Sequence, residues 1–103
     1  MADYKLIITV PALEDLNDIY KYISVRLNNP YSASKCSDKI FSSAKSLSLQ
    51  PKRYRIRKKN LKGQEIRYMP VENFIIIYCV NDSERTVNIL RIMYGKRNLD
   101  AVI

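Results

Sequence analysis

Residues 66–80 read IRYMPVENFIIIYCV, and this stretch decides the fold. One strand is predicted over residues 64–71 and a second, almost entirely apolar, over residues 74–80. Between them Glu72-Asn73 fits a tight turn, because asparagine tolerates a positive φ. An unbroken apolar run is typical of a central strand that is covered on both faces. The stretch therefore predicts the middle of an antiparallel sheet.

The chain on either side extends this sheet. Residues 86–94 (TVNILRIMY) predict a last strand that ends at Gly95. Residues 4–10 (YKLIITV) predict a first strand that is rich in β-branched side chains. Since only short polar turns separate the last three strands, they are expected to form an antiparallel meander. The expected sheet has four strands and is mainly antiparallel.

Two helices are predicted between the first strand and the meander. The first starts at Pro11 and continues to residue 27, since proline suits the first turn of a helix. The second starts at Pro30, with Asn29 as its N-cap, and ends at Pro51. Because the connection between them is short, the two helices should form an antiparallel hairpin.

Each predicted helix carries one apolar stripe at helical spacing, and both stripes are expected to cover one face of the sheet. The stripes consist of Leu13, Leu16, Ile19, Tyr20, Ile23 and Leu27 in the first helix and of Ala33, Cys36, Ile40, Ala44 and Leu47 in the second. Tyr20, Tyr78 and Cys79 are expected in the core. The prediction is an α+β fold in which residues 1–103 form a single domain.

Positive charge is concentrated in the second half of the chain. The 18 Lys and Arg residues exceed the 10 Asp and Glu residues, which gives a net charge of +8. Residues 52–103 carry +7 of this charge, and residues 52–62, expected as a loop, contain seven of the cations. Such an imbalance favours an anionic partner, which is a nucleic acid, a membrane surface or an acidic protein.

The composition also excludes several classes of site. Histidine is absent, which removes imidazole acid–base chemistry and the commonest zinc ligand. Cys36 and Cys79 form no CxxC motif, so neither a structural zinc nor a thioredoxin-type site is expected. One disulfide between them is possible, but buried thiols in a reducing cytosol are favoured. No cofactor or metal is expected.

The sequence predicts a cytoplasmic protein. Its longest apolar run is residues 74–80, far short of the ~20 residues that a membrane span needs. Residues 1–5 lack a basic region followed by a long apolar one, so they do not read as a signal peptide. No membrane partner is therefore expected.

Three stretches, residues 4–23, 66–80 and 87–100 (VNILRIMYGKRNLD), carry a resemblance to a known family. In their order and spacing they resemble the RelE/ParE superfamily of toxins from bacterial type II toxin–antitoxin systems. Residues 66–80 are similar to the strand–turn–strand of the ParE branch, with its arginine at Arg67, an apolar–Pro–Val step and a closing tyrosine. The resemblance implies a growth-inhibiting toxin that is held by an acidic antitoxin in a hetero-oligomeric complex.

The resemblance implies one of two targets. The branch that cleaves messenger RNA has an arginine early in the strand after the tight turn, where this sequence has Ile75. That branch also has a C-terminal Tyr or His, where this sequence ends in residues 101–103 (AVI). Only Arg97 matches a basic residue that both branches keep. The chain is thus closer to the ParE branch, which inhibits DNA gyrase.

Two alternatives stay open at this point. One is a ribosome-dependent messenger-RNA interferase, which would be a metal-independent endoribonuclease and would have the ribosome and messenger RNA as partners. Its base would have to be Glu65, Glu72 or a lysine with a lowered pKa, and nothing in the sequence places one beside the arginines. The other is a non-toxic or degenerate nucleic-acid-binding module. No catalytic residue is assigned.

The candidate target-binding surface combines basic and aromatic side chains. It comprises Lys52, Arg53, Tyr54, Arg55, Arg57, Lys58, Lys59, Arg67, Arg91, Tyr94, Lys96 and Arg97. A solvated loop is the alternative for residues 52–62. For Arg67 and Arg91, which lie within predicted strands, the alternative is a structural ion pair with a carboxylate such as Glu65 or Glu72.

Overall fold

A computed structural model describes residues 3–95. The strands are β1 (Lys5–Ile8), β2 (Ile56–Lys59), β3 (Glu65–Val71), β4 (Phe74–Asn81) and β5 (Thr86–Tyr94). The helices are α1 (Val10–Lys21) and α2 (Pro30–Ser46), and a π-helical segment (Tyr22–Arg26) continues α1. This arrangement confirms the predicted α+β class and the predicted order of the elements that the sequence identified.

The sheet has five strands in the order β1-β5-β4-β3-β2. Its three inner strands form the predicted antiparallel meander, with β4 in the centre. β1 is parallel to β5, with Lys5 opposite Thr86. The other three strand pairs are antiparallel, so the sheet is mixed.

The expectation of four strands is wrong, because residues 52–62 are not only a loop. They contain β2, which pairs with β3 antiparallel and is bulged between Ile56 and Lys58. β2 is an edge strand, and charged side chains are common on edge strands because they discourage pairing with another chain. The same charges concealed the strand in the sequence.

Both helices also end earlier than expected. The α-helical part of the first helix ends at Lys21, and the π-helical segment continues it to Arg26. α2 begins as predicted, with the Asn29 side chain accepting a hydrogen bond from the Ser32 amide at 3.1 Å. It ends at Ser46 instead of Pro51, because the amides of residues 47–49 bond to carbonyls three residues back, which is turn geometry instead of α-helical geometry.

The main core lies between the helices and one face of the sheet. Ala12 of α1 and Ile40, Ala44 and Leu47 of the second helical stripe are buried there. They pack against strand residues Met69, Val71, Ile76, Tyr78, Val87, Ile89 and Ile92. The second stripe is therefore confirmed, and so is the core position of Tyr78.

The buried face of the first helix is narrower than the predicted apolar stripe. Tyr20 is 38% exposed and Leu27 is 56% exposed, so neither is a core residue. Leu13 is exposed as well. α1 instead uses a narrower face, in which Leu16 and Ile19 pack partly buried beside Ala12. Hydrophobic spacing indicates which side of a helix faces the core but not how wide the contact is.

The opposite face of the sheet has a buried cluster of its own. It consists of Ile66, Tyr68, Ile77, Cys79 and Met93, which all belong to β3, β4 and β5. The central strand β4 is thus buried on both faces, as its apolar run predicted. Cys79 is a free thiol within this cluster, and burial raises its pKa.

Among residues 3–95, no helix combines the length and the apolar character that crossing a membrane requires.

Candidate partner-binding surfaces

The first surface is a run of cations along the β2 edge of the sheet. This basic strip consists of Lys52, Arg53, Arg55, Arg57, Lys58 and Lys59. All of them except the half-buried Lys58 are exposed. Because β2 is at the edge of the sheet, the strip is accessible from the side as well as from the faces.

Lys52 is tied down at one end of the strip. Its Nζ lies 2.7 Å from Oδ2 of Asp82, and the Tyr4 hydroxyl donates to Oδ1 of the same carboxylate at 2.7 Å. The hydrogen bonds from Lys52 and Tyr4 lower the pKa of Asp82. The same contact raises the pKa of Lys52. This carboxylate therefore stays ionised and offsets one charge of the strip.

Two arginines of the strip lie over aromatic rings. The guanidinium carbon of Arg53 is 5.5 Å from the centroid of Tyr54, and that of Arg57 is 4.8 Å from the centroid of Tyr68. Cation–π contacts of this kind help to hold a guanidinium in place. Tyr54 itself is half-buried against the main core, so its ring supports Arg53 instead of standing free for base stacking.

Arg67 does not belong to the accessible surface. It is 8% exposed and lies on the inner strand β3. Its Nη1 donates to the carbonyl oxygen of Tyr54 at 2.5 Å. Neither ion pair found within residues 3–95 involves Arg67, so the expected carboxylate partner is wrong for this residue. A backbone carbonyl takes that place because the chain before β2 passes over the arginine.

Arg91 forms the structural ion pair that was the alternative for it. Its Nε and Nη2 donate to the two oxygens of Asp15 at 2.7 and 2.9 Å. The same carboxylate accepts the Ile92 amide at 2.9 Å. The hydrogen bond to Asp15 raises the pKa of Arg91. The partner is on α1, not at Glu65 or Glu72, so local sequence did not reveal it.

The predicted residues therefore do not form one surface. Tyr94 is at the end of β5, where its ring meets Phe74 edge-on at 5.8 Å between centroids. Strands β4 and β3 separate β5 from β2, so Arg91 and Tyr94 do not join the basic strip. Lys96 and Arg97 lie outside the described residues.

A second surface is a groove of about 1030 Å³ between the helices and the ends of β4 and β5. Apolar lining comes from residues such as Ile19, Tyr22, Leu27 and Phe74. Charged lining of both signs comes from Asp15, Asp18, Glu72, Lys35, Lys39 and Arg91. Apolar residues of the first stripe that stay outside the core, such as Leu27, form part of this groove.

The fold is that of a RelE/ParE-type toxin. Residues 6–99 match the family described as the ParE toxin of the type II toxin-antitoxin system, parDE. The chain belongs to this family, and it is thus a type II toxin-antitoxin toxin of the ParE branch. The resemblance that its sequence carries is confirmed.

Solved structures agree with this assignment. The chromosomal ParDE toxin–antitoxin system from P. aeruginosa matches with 26% identity and a TM-score of 0.74, covering 90% of this chain and 97% of that chain. The RelBE2 complex from Mycobacterium tuberculosis matches with 18% identity and a TM-score of 0.67, covering 90% and 99%. The RelE–RelB complex from Pyrococcus horikoshii OT3 matches with 13% identity and a TM-score of 0.65, covering 92% and 98%. The last two establish likeness of fold alone. No curated protein matches the chain.

Proposed function

We propose that this protein arrests bacterial growth by binding DNA gyrase and that a cognate antitoxin neutralises it. The observation that carries the proposal is the ParE family match over residues 6–99. The basic strip supports it, because a cationic edge suits either the acidic surface of a topoisomerase or the DNA that the enzyme holds.

The chemistry of the described residues favours binding over catalysis. Cleaving RNA through its 2′-hydroxyl needs a base and an acid beside the cation that stabilises the phosphate charge. Asp82 binds Lys52 of the strip, and its lowered pKa makes it a weak base. Glu65, a base candidate from the sequence, is exposed and lies opposite Lys59 in the register of β2 and β3. Arg67 is buried and Arg91 is bound to Asp15, so neither presents a free guanidinium to a phosphate.

The groove supports the second half of the proposal. It offers apolar and charged lining together, which suits an amphipathic segment of a partner chain that folds on binding. The similar structures from P. aeruginosa, M. tuberculosis and P. horikoshii are of toxin–antitoxin systems or complexes. We therefore assign the groove to the antitoxin and the basic strip to the target.

Expression of the toxin without its antitoxin tests the target. The expected result is growth arrest with induction of the SOS response, and purified toxin should make purified gyrase accumulate cleaved DNA. Primer extension on cellular transcripts is the parallel measurement. Growth arrest with discrete cuts inside codons and no SOS response would replace gyrase with messenger RNA as the target. Growth without arrest would indicate a degenerate toxin.

A further inference from the structure

Two buried polar side chains reach up to the chain segment that carries the first cations of the basic strip. Residues 47–55 connect α2 to β2 and contain Lys52, Arg53 and Arg55. Arg67 donates to the carbonyl of Tyr54 at 2.5 Å, and the hydroxyl of Tyr78 donates to the carbonyl of Pro51 at 3.1 Å. Two backbone carbonyls of this connecting segment therefore accept hydrogen bonds from side chains of the sheet.

These two donors form a pair in the sheet. Arg67 of β3 lies directly opposite Tyr78 of β4 in the antiparallel register, so their side chains are on the same face. Tyr78 has no exposed surface, and Arg67 has little. Since both side chains are packed, the two carbonyl oxygens that they bind are held at fixed positions above the sheet.

Arg67 is an unusual residue for this place. Its Nε is buried without a hydrogen-bond partner, and no carboxylate within residues 3–95 forms an ion pair with it. Buried arginines are rare unless they are paired, because removing the charge from water is costly. An apolar side chain would fill β3 at this position without that cost. Unlike an apolar side chain, the guanidinium of Arg67 can donate a hydrogen bond to the Tyr54 carbonyl.

Both donors keep their roles across the ordinary pH range. Burial raises the pKa of the Tyr78 hydroxyl, and the positive charge of Arg67 opposes that rise without cancelling it. Tyr78 therefore stays protonated and able to donate to Pro51. Arginine is always charged in proteins, so its donor is permanent as well.

The two bound carbonyls bracket the cations. Pro51 precedes Lys52 and Arg53, and Tyr54 follows them, so the backbone of this short segment is fixed on both sides. Lys52 is further held by Asp82, and Arg53 donates to the Ser46 hydroxyl at 2.8 Å. The backbone that carries Lys52 and Arg53 is therefore held in place shortly before β2 begins.

We propose that Arg67 and Tyr78 are positioning residues, which hold residues 51–54 so that the cations of the loop and of β2 converge on one anionic partner. This inference rests on the proposed role of the basic strip in target binding. The physical gain is preorganisation, because a loop that is already ordered loses less conformational entropy when the partner binds. The two residues do not themselves touch the partner.

Four variants of the purified toxin test this. Tyr78→Phe removes only the hydroxyl, Arg67→Lys keeps the charge, and Arg67→Met removes both donor and charge. Arg26→Met is the matched control, since it removes one exposed positive charge from the π-helical segment, outside the strip. Heparin serves as the anionic probe, and its affinity is measured at several salt concentrations below the melting temperature of each variant.

Tyr78→Phe and Arg67→Met are each expected to weaken heparin binding by about threefold or more relative to Arg26→Met, and Arg67→Lys is expected to weaken it less. The slope of log affinity against log salt should fall by about one, because fewer cations act together. Amide hydrogen exchange should become faster in residues 50–56. A structural defect elsewhere would change neither the slope nor this local exchange.

Wild-type affinity, slope and exchange in Tyr78→Phe would overturn the inference, whether or not Arg67→Met folds. The gyrase assay on the wild-type protein separates this outcome from failure of the proposed function. Toxin that leaves gyrase unaffected refutes the target, while the heparin and exchange measurements still decide whether the two residues position the strip.

Discussion

At the scale of single residues, Asp15 connects more parts of the molecule than its place on an amphipathic helix suggests. Its carboxylate accepts two bonds from the Arg91 side chain and one from the Ile92 amide. β1 pairs with β5 only as far as Ile8 opposite Ile89, so the edge of β5 beyond that point has no neighbouring strand. The carboxylate of Asp15 binds the strand amide there and anchors α1 to the sheet.

Removing Asp15 should therefore destabilise the fold measurably. Asp15→Ala leaves a partly buried guanidinium and a strand amide without their acceptor, so we expect a loss of about 1–3 kcal/mol in the free energy of unfolding. Urea denaturation measures the loss, and a double-mutant cycle with Arg91→Met isolates the ion pair.

Asp82→Asn is the control for that experiment, because it weakens an ion pair whose two side chains are exposed. Exposed pairs contribute little to stability, so this variant should lose clearly less than Asp15→Ala. Equal losses in the two variants, or no coupling in the cycle, would show that the Asp15 contacts do not hold α1 to β5.

The two strand arginines show how far sequence reasoning extends at this scale. Their position in apolar strands indicates that each needs a partner when folded. Identifying the partner requires the fold, since Asp15 precedes Arg91 by 76 positions. For Arg67 the partner is the backbone carbonyl of Tyr54, and every residue of the chain carries an equivalent group. No sequence pattern marks such an acceptor.

At the scale of elements, the apolar strands could be predicted and the charged one could not. The bounds predicted for β3, β4 and β5 agree with the observed bounds to within one residue. Strands that are buried on one or both faces have alternating or continuous apolar residues, which a sequence shows directly. β2 (Ile56–Lys59) has one apolar residue, and hydrogen bonds to β3 alone define it. The parallel pairing of β1 was also invisible, since pairing direction depends on the path of the chain through the helices.

The charges of β2 should keep the sheet edge from pairing with a second molecule. In Arg57→Val/Lys59→Val, the edge becomes a short apolar strand with free backbone groups, which favours edge-to-edge association. We expect larger species than those of the wild type in sedimentation velocity, increasing with protein concentration.

Lys21→Val/Lys45→Val is the matched control, because it removes two charges and adds two valines on exposed helical positions. Helical positions leave no free backbone groups, so this variant should stay closer to the wild type in its association state. If the two variants associated equally, hydrophobicity and not the strand edge would be responsible.

At the scale of the whole molecule, the two candidate surfaces share no residue. The groove is bounded by the helices and the ends of β4 and β5, whereas the basic strip follows β2 and the segment before it. A partner in the groove need not compete directly with one on the strip. Neutralisation by an antitoxin in the groove then requires either a longer segment that reaches the strip or obstruction of the target.

A charge placed in the groove should separate antitoxin binding from toxicity. Tyr22 lines the groove and is 54% exposed, so Tyr22→Glu should fold while disrupting an apolar contact with the partner. We expect affinity for the cognate antitoxin to fall by about tenfold or more in calorimetric titration, with growth arrest retained.

Val25→Glu controls for the added charge, because Val25 is exposed on the same π-helical segment but is not among the residues that line the groove. It should bind that protein like the wild type. Wild-type affinity in Tyr22→Glu would place the antitoxin elsewhere, and loss of growth arrest in Tyr22→Glu would connect the groove to the target.

The parallel pairing of β1 with β5 has a consequence for folding during synthesis. The Thr9 hydroxyl binds the Ile89 carbonyl, which is 80 positions further along the chain. A nascent or truncated chain that stops before β5 lacks the strand on which both β1 and the start of α1 depend. The complete sheet, and with it both proposed partner surfaces, can therefore assemble only after β5 has been synthesised.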